Sequence, residues 1–227
     1  MSLDTISVIV LALNEERTIA RTLESIRSQG DCELIVADGG STDGTIAVSE
    51  SFEAAVVRSQ QGRGWQGNAG AAHASGDILL FLHADTELPQ NALTLIRNHF
   101  TQNRQSVARF RLGFDDPHPL LKFYGFCSRV DSVITSFGDS GIIVGKEQFL
   151  ALGGFPEWHF FEDVRFFQKA RTSASVHVLP ASVRSSARRF RRFGIVRQQL
   201  KNAYLIARFL FGTHPESMWQ SYNRSDL

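Results

Sequence analysis

Three short apolar runs, each closed by a cluster of polar residues, constrain this chain more than any other feature. Residues 6–13 (ISVIVLAL), 34–37 (LIVA) and 77–82 (DILLFL) are β-branched or leucine-rich and too short for buried helices. Such runs read as strands of a parallel sheet covered on both faces. Between them apolar residues recur at helical spacing, as in Thr18, Ile19, Leu23 and Ile26 up to Gly30. Asn14 stands where it can cap that helix. A helix through Ile46 and Val48, a short strand at 54–57, a small-residue helix over 67–75 and a helix over 89–100 follow. Alternating strands and helices predict an α/β domain with a doubly wound, mainly parallel sheet. Ligands bind such sheets beyond the carboxyl ends of the strands. Asn14-Glu15, the turn from Asp38 through Asp43, and His83-Ala84-Asp85 all fall there.

The 227 residues suit one substantial core, so 1–227 is read as a single domain. Hydrophobic residues at 43% and charged residues at 21% exclude a disordered or fibrous chain. Cys32 and Cys127 lack CxxC or zinc spacing and fit a reducing compartment. The opening MSLDTISVIVLALNEE has no basic lead and no small-residue cleavage site, unlike a signal peptide. No run approaches the roughly 20 apolar residues that span a bilayer. The expected location is the cytoplasm, with contact to the inner face of a membrane left open. Charge is segregated behind a net +1: residues 164–215 hold eleven basic residues and no acidic one, leaving 13 basic against 23 acidic elsewhere. A basic C-terminal part implies an anionic partner.

Beyond residue 100 the pattern changes. VARFRLGF (107–114) alternates like a half-solvated strand, 118–137 is aromatic, and 139–144 reads as a strand. Gly153-Gly154-Phe155-Pro156 is a turn, 161–170 a helix opening on Glu162-Asp163, 176–179 a short strand, and 191–211 a last helix.

No GxxxxGK[ST] or GxGxxG phosphate loop occurs. The glycine-rich turn at Asp38 is acidic, which suits a base or ribose better than a phosphate. Asp38 ends a buried strand and reads as a ligand contact, whereas Asp43 reads as an Asx-turn cap. Asp85 ends another strand. One carboxylate there can hold Mg²⁺ or Mn²⁺ when a diphosphate and waters complete the shell. The alternative is a loop aspartate capping the next helix.

SVIVLALNEE, IVADGGSTDGT, GRGWQGNAGAAHASGDILLFLHAD and GGFPEWHFFEDVRF, in that order, resemble family 2 glycosyltransferases of the GT-A fold. They are similar in particular to a small bacterial subgroup with a His-x-Asp metal motif. The resemblance implies transfer of a sugar from a UDP- or GDP-type donor to an acceptor hydroxyl, with inversion and with a divalent metal. Leu13, Asn14, Glu15, Asp38, Arg63, Asn68 and Ala84 would then line the donor site, and Asp85 would bind metal. Asp163 would be the catalytic base, with Glu162 and Asp139 on the acceptor side. The common motif is Asp-x-Asp, so His83 either ligates the metal or hydrogen-bonds the donor. Residues 1–100 would form the nucleotide-sugar half, 101–190 the acceptor and catalytic half, and 191–227 a C-terminal helix and tail.

That basic and aromatic C-terminal stretch has three readings: an interfacial helix on an anionic leaflet near a lipid-linked acceptor, arginines over the donor diphosphate, or a packed helix with a solvated face. No RNA-binding signature accompanies it, and no nucleic-acid partner is expected. Two rivals remain at this point: a nucleotidyltransferase, which would want a basic glycine loop for a triphosphate, and a nucleotide-sugar-binding protein without catalysis.

Overall fold

In the computed structural model, which describes residues 5–219, each run read as a buried strand is one. The elements follow in chain order as β1 (Ile6–Ala12), α1 (Ile19–Arg27), β2 (Glu33–Asp38), α2 (Thr45–Ser51), β3 (Ala55–Arg58), α3 (Arg63–His73), β4 (Ile78–His83) and β5 (Thr86–Glu87). Next come α4 (Ala92–Gln102), β6 (Val107–Phe114), α5 (Pro119–Cys127), a 3₁₀ turn (Gly138–Ser140), β7 (Ile142–Gly145) and α6 (Lys146–Ala151). The described chain closes with α7 (Glu162–Ser173), β8 (Val176–Ser185), α8 (Arg188–Phe193) and α9 (Ile195–Leu210). Residues 220–227 of the expected tail lie outside the described residues.

One eight-stranded sheet runs in the order β3-β2-β1-β4-β7-β6-β8-β5. Strand alternation divides its core in two. Val8 and Val10 of β1 face Leu23, Ile26, Leu93, Ile96 and Phe100 of α1 and α4. Ile9 faces the other way, in a cluster with Ala71 of α3 and Phe166 and Phe167 of α7. Small residues in α3 follow from how closely it lies. A Cβ on Gly70 would stand 2.3 Å from Ile9 Cγ2, and one on Gly64 would stand 1.9 Å from the Pro156 carbonyl oxygen.

The sheet is parallel through its first four strands, as expected, and mixed beyond them. β1, β2, β3 and β4 pair in parallel, as do β6 and β8, but β7 is antiparallel to both β4 and β6. The cause lies in the connection. β6 ends at the carboxyl edge, and α5 and the 3₁₀ turn do not carry the chain back across the sheet. β7 therefore starts at that edge and runs in reverse. Other expectations shift locally. Asn14 does not cap α1, whose N-cap residue is Thr18; Asn14 sits in the left-handed region at φ 53°. β8 runs six residues past the expected strand end, and Gly194, at φ 84°, breaks the expected last helix into α8 and α9.

Candidate active site

The carboxyl ends of β1, β2, β4, β6 and β8 share one edge of the sheet, and antiparallel β7 begins there. The loops after β1 and β2 are stitched together at that edge. The Asn14 amide donates to Ser41 Oγ, and Asn14 Oδ1 accepts from the Thr42 amide at 2.8 Å. The Glu15 amide donates to Thr45 Oγ1, and the Glu16 amide to Asp43. Asp38 is buried, and its carboxylate accepts from the Gly40 and Ser41 amides. It shapes its own turn, the structural role expected of Asp43, which itself accepts from the Thr45 amide. Leu13 is half-buried beside them. Gln66, which sequence reasoning missed, reaches from α3 to donate to the Ala12 and Ala37 carbonyls, tying the ends of β1 and β2.

After β4, Ala84 is buried; its amide donates to the Leu11 carbonyl and its carbonyl accepts from Thr22 Oγ1. Beside it Asp85 lies 3.3 Å from Arg188 Nη2. Burial pushes the Asp85 carboxyl up, against the pull of His83 and Arg188. Arg188 also forms a forked pair with Glu15, whose carboxylate accepts from Thr18 Oγ1 as well. One cation thus bridges two carboxylates carried by the ends of β1 and β4. Its contact with Glu15 spans 173 residues of chain, a distance at which no local pattern signals a pair.

The 3₁₀ turn brings in the acceptor-side candidates. His83 Nδ1 donates to Asp139 Oδ1 at 2.9 Å. Loss of water around Asp139 favours its neutral form. The His83 hydrogen bond and charge, with Arg63 and Arg189, outweigh this and hold its carboxyl well below the usual range. Asp163 Oδ2 accepts from the Gly138 amide at 2.6 Å, and Oδ1 from the Val164 amide at 2.7 Å. A Cβ on Gly138 would meet both Asp163 Oδ2 and His83 Nε2, so these groups line one small space. Glu162 differs. It is buried, its Oε2 has no hydrogen-bond partner, and burial first, then the charge of Asp163, pushes its carboxyl well above the ordinary value. Arg63 opens α3 among these acids. Burial works against its charge, but Glu162, Asp139, Asp163 and Asp85 outweigh that and hold it ionised.

Two further candidates are engaged within the fold. The Asn68 Nδ2 donates to the Phe155 carbonyl and its Oδ1 accepts from the Phe155 amide, pinning the glycine turn to α3. The Nδ1 of His83 bonds Asp139, which leaves Nε2 toward the space beside Gly138. Among the described residues no group of three or more His, Cys, Asp or Glu is placed to hold a metal ion by itself.

Residues 7–137, more than half of the chain, match the sequence model described as Glycosyl transferase family 2. The chain belongs to glycosyltransferase family 2. The 4,4'-diaponeurosporenoate glycosyltransferase of Staphylococcus haemolyticus is 30% identical over 161 residues, 65% of this chain and 42% of its own. Among solved structures, Staphylococcus aureus TarS 1–349, in complex with UDP-GlcNAc, matches with TM-score 0.65 at 20% identity, over 80% of this chain and 58% of that one. The mannosyltransferase PcManGT of Pyrobaculum calidifontis, in complex with GDP-Man and Mn²⁺, matches with TM-score 0.65 at 20% identity, over 90% of this chain and 65% of that one. At these identities the likeness is one of fold, and it is the GT-A fold expected for family 2. The chain spans less than half the length of the curated relatives it matches.

Proposed function

We propose that this chain is an inverting, nucleotide-sugar-dependent glycosyltransferase whose donor lies across the carboxyl ends of β1, β2 and β4. The carrying observation is the gathering, at that edge of a family 2 chain, of Asp85, Asp139 and Asp163 around Arg63, with Arg188 above Glu15 and Asp85. The loops holding Leu13, Asn14, Asp38 and Ala84 frame the space for the base and ribose of such a donor, the class of ligand found with TarS (UDP-GlcNAc) and PcManGT (GDP-Man). Residues 1–100 on this reading serve the donor and 101–190 the acceptor.

In the chemistry that follows, Asp163 is the base. Its carboxylate is oriented by two amide donors while further lone pairs remain to accept the acceptor's hydroxyl proton. The acceptor oxygen attacks the anomeric carbon as the nucleoside diphosphate departs. Arg63 and Arg188 supply positive charge where the diphosphate gathers negative charge. The donor set suits a hard divalent ion in one respect: the Asp85 carboxylate already lies against a cation, and oxygen donors are what Mg²⁺ and Mn²⁺ take. Asp85 would hold such an ion with diphosphate oxygens, and the ion would act as a Lewis acid on the leaving group. His83 would serve it indirectly, by fixing Asp139. The expected setting is the cytoplasm; no helix among the described residues is long and apolar enough to cross a membrane.

The test is donor turnover with a panel of UDP- and GDP-sugars, with and without Mn²⁺. Asp163→Asn is expected to lower kcat about 10²- to 10⁴-fold while leaving nucleotide binding intact. Asp85→Asn is expected to abolish the response to Mn²⁺. Nucleotide binding without turnover in the parent chain would leave a binding protein, and consumption of a triphosphate would make it a nucleotidyltransferase.

A further inference from the structure

The element that the donor site does not use is α9. Its residues Val196, Leu200 and Tyr204, with Phe211 just beyond its end, are each more than half exposed. At 3.6 residues per turn these four fall within an arc of about 80°. Arg197, Lys201 and Arg208 fall within the next arc of about 40° on one side. Arg208 lies over the Tyr204 ring at 5.8 Å, and Arg192, just before the helix, over Phe193 at 5.0 Å. An apolar stripe bordered by cations is the pattern of a helix that lies in a membrane interface.

The charge of the surrounding chain narrows the occupant. Part of the basic segment is paired with acids of the fold: Arg171 with Asp131, Arg184 with Glu87, Arg188 with Glu15 and Asp85, and Arg191 with Asp115 and Asp116. Among the described residues Arg192, Arg197 and Arg208 take part in none of these pairs, and no acidic residue occurs anywhere in 164–215 to oppose them. A second copy docked by the same stripe would bring like charges together. An anionic bilayer supplies both the apolar layer and the opposite charge.

We infer that α9 is a membrane-docking helix that seats this chain on an anionic lipid surface. The opposite face of α9 makes that placement consequential. Phe209 stacks on Phe161 at 5.1 Å and meets Trp158 at 6.1 Å, and Phe161 immediately precedes Glu162 and Asp163. If the proposed activity is right, the helix on the bilayer backs directly onto the loop that presents the catalytic acids, so an alcohol carried by a lipid reaches the cleft from the docked side.

Docking can be tested apart from activity. The chain is sedimented with vesicles of phosphatidylcholine alone and of equal parts phosphatidylcholine and phosphatidylglycerol. Binding to the anionic vesicles and not to the neutral ones is expected. Leu200→Asn with Tyr204→Asn should abolish it, and Arg197→Gln and Arg208→Gln should each weaken it about fivefold. Thermal melts matching the parent establish that the variants are folded, and a variant that melts early is replaced by the milder Leu200→Ala. No binding to either vesicle, equal binding to both, or a concentration-dependent dimer dispersed by the same substitutions would each overturn the inference. Donor turnover lost with vesicle binding retained would count against the proposed activity and leave docking standing.

Discussion

The part of the sheet before residue 100 and the part that follows it balance apolar packing and polar ties differently. From β1 to α4 the strands are apolar, with Val8, Val10, Ile9 and Leu80 dividing between two covered faces, and polar ties such as Gln66 and Thr22 are confined to the strand ends. From β6 onward, buried polar groups join elements that apolar packing alone would leave loose. Arg109 is the central case. It is fully buried on β6, and its guanidinium donates to Ser136 Oγ and to the carbonyls of Phe110, Ser128 and Val130. Burial lowers its pKa to about 10, against the support of Asp131, so it stays charged at neutral pH. One side chain thus organises the long connection between α5 and β7, and with it the turn that carries Asp139. Alternation specifies which face of a strand is buried, whereas a polar tie also specifies which loop lies where.

The sharpest way to break this contrast is to remove the tie. Arg109→Met keeps length and apolar stem but orphans buried carbonyls and a hydroxyl, with an expected loss of about 3 kcal/mol. Urea unfolding measures it, and the loss should come with weaker turnover because the Gly138–Ser140 turn is released. A cost below about 1 kcal/mol would mean that the connection is held by its apolar residues after all.

The matching test in the first half is one of volume. Gly70→Ala places a methyl 2.3 Å from Ile9 Cγ2. Overpacking of this kind costs about 1–3 kcal/mol. Adding Ile9→Val, which removes the Cδ1 methyl but keeps Cγ2, should recover little, whereas adding Ile9→Ala should recover most of the clash and replace it with a cavity cost. Additive single and double variants would show that the helix simply moves away.

The same contrast explains what could be read from the sequence. β1, β2, β4 and their polar ends were legible because burial on both faces leaves a local signature, and ligands gather at strand ends by topology. The Glu162-Asp163 pair was legible as a helix start. Arg188 on Glu15, His83 on Asp139 and Asn68 on Phe155 were not, because each pairs residues far apart in the chain through side chains that look ordinary locally. The reversal of β7 was hidden for a related reason: an antiparallel strand buried on both faces has the same composition as a parallel one. The charge segregation raised the expectation of an anionic partner for the 164–215 segment, and several of the anions its arginines meet are carboxylates of this chain.

The smallest expected effect concerns Glu162, where the second half keeps a polar group without a tie. Its carboxyl is buried beside Asp163, and its pKa stands well above the 4.5 of the unfolded chain. The folded state therefore holds a proton that the unfolded state has already released. Below pH 4.5 both states are protonated and burial of the neutral acid costs nothing through linkage. As pH rises toward the folded-state pKa, stability falls by about 1.4 kcal/mol for each pH unit crossed. Glu162→Gln removes the titration while keeping shape. The variant should match the parent in thermal melts below pH 4.5 and exceed it increasingly as the pH rises from there toward the folded-state pKa. Turnover of Glu162→Gln, measured alongside, should fall far less than that of Asp163→Asn, because a protonated acid and a neutral amide present similar charge to the donor. Parallel stability curves would mean that Glu162 is ionised in the folded protein. Arg63, whose charge opposes the rise in the Glu162 pKa, would then be its partner, and the acceptor side would carry one more negative charge than the proposed mechanism uses.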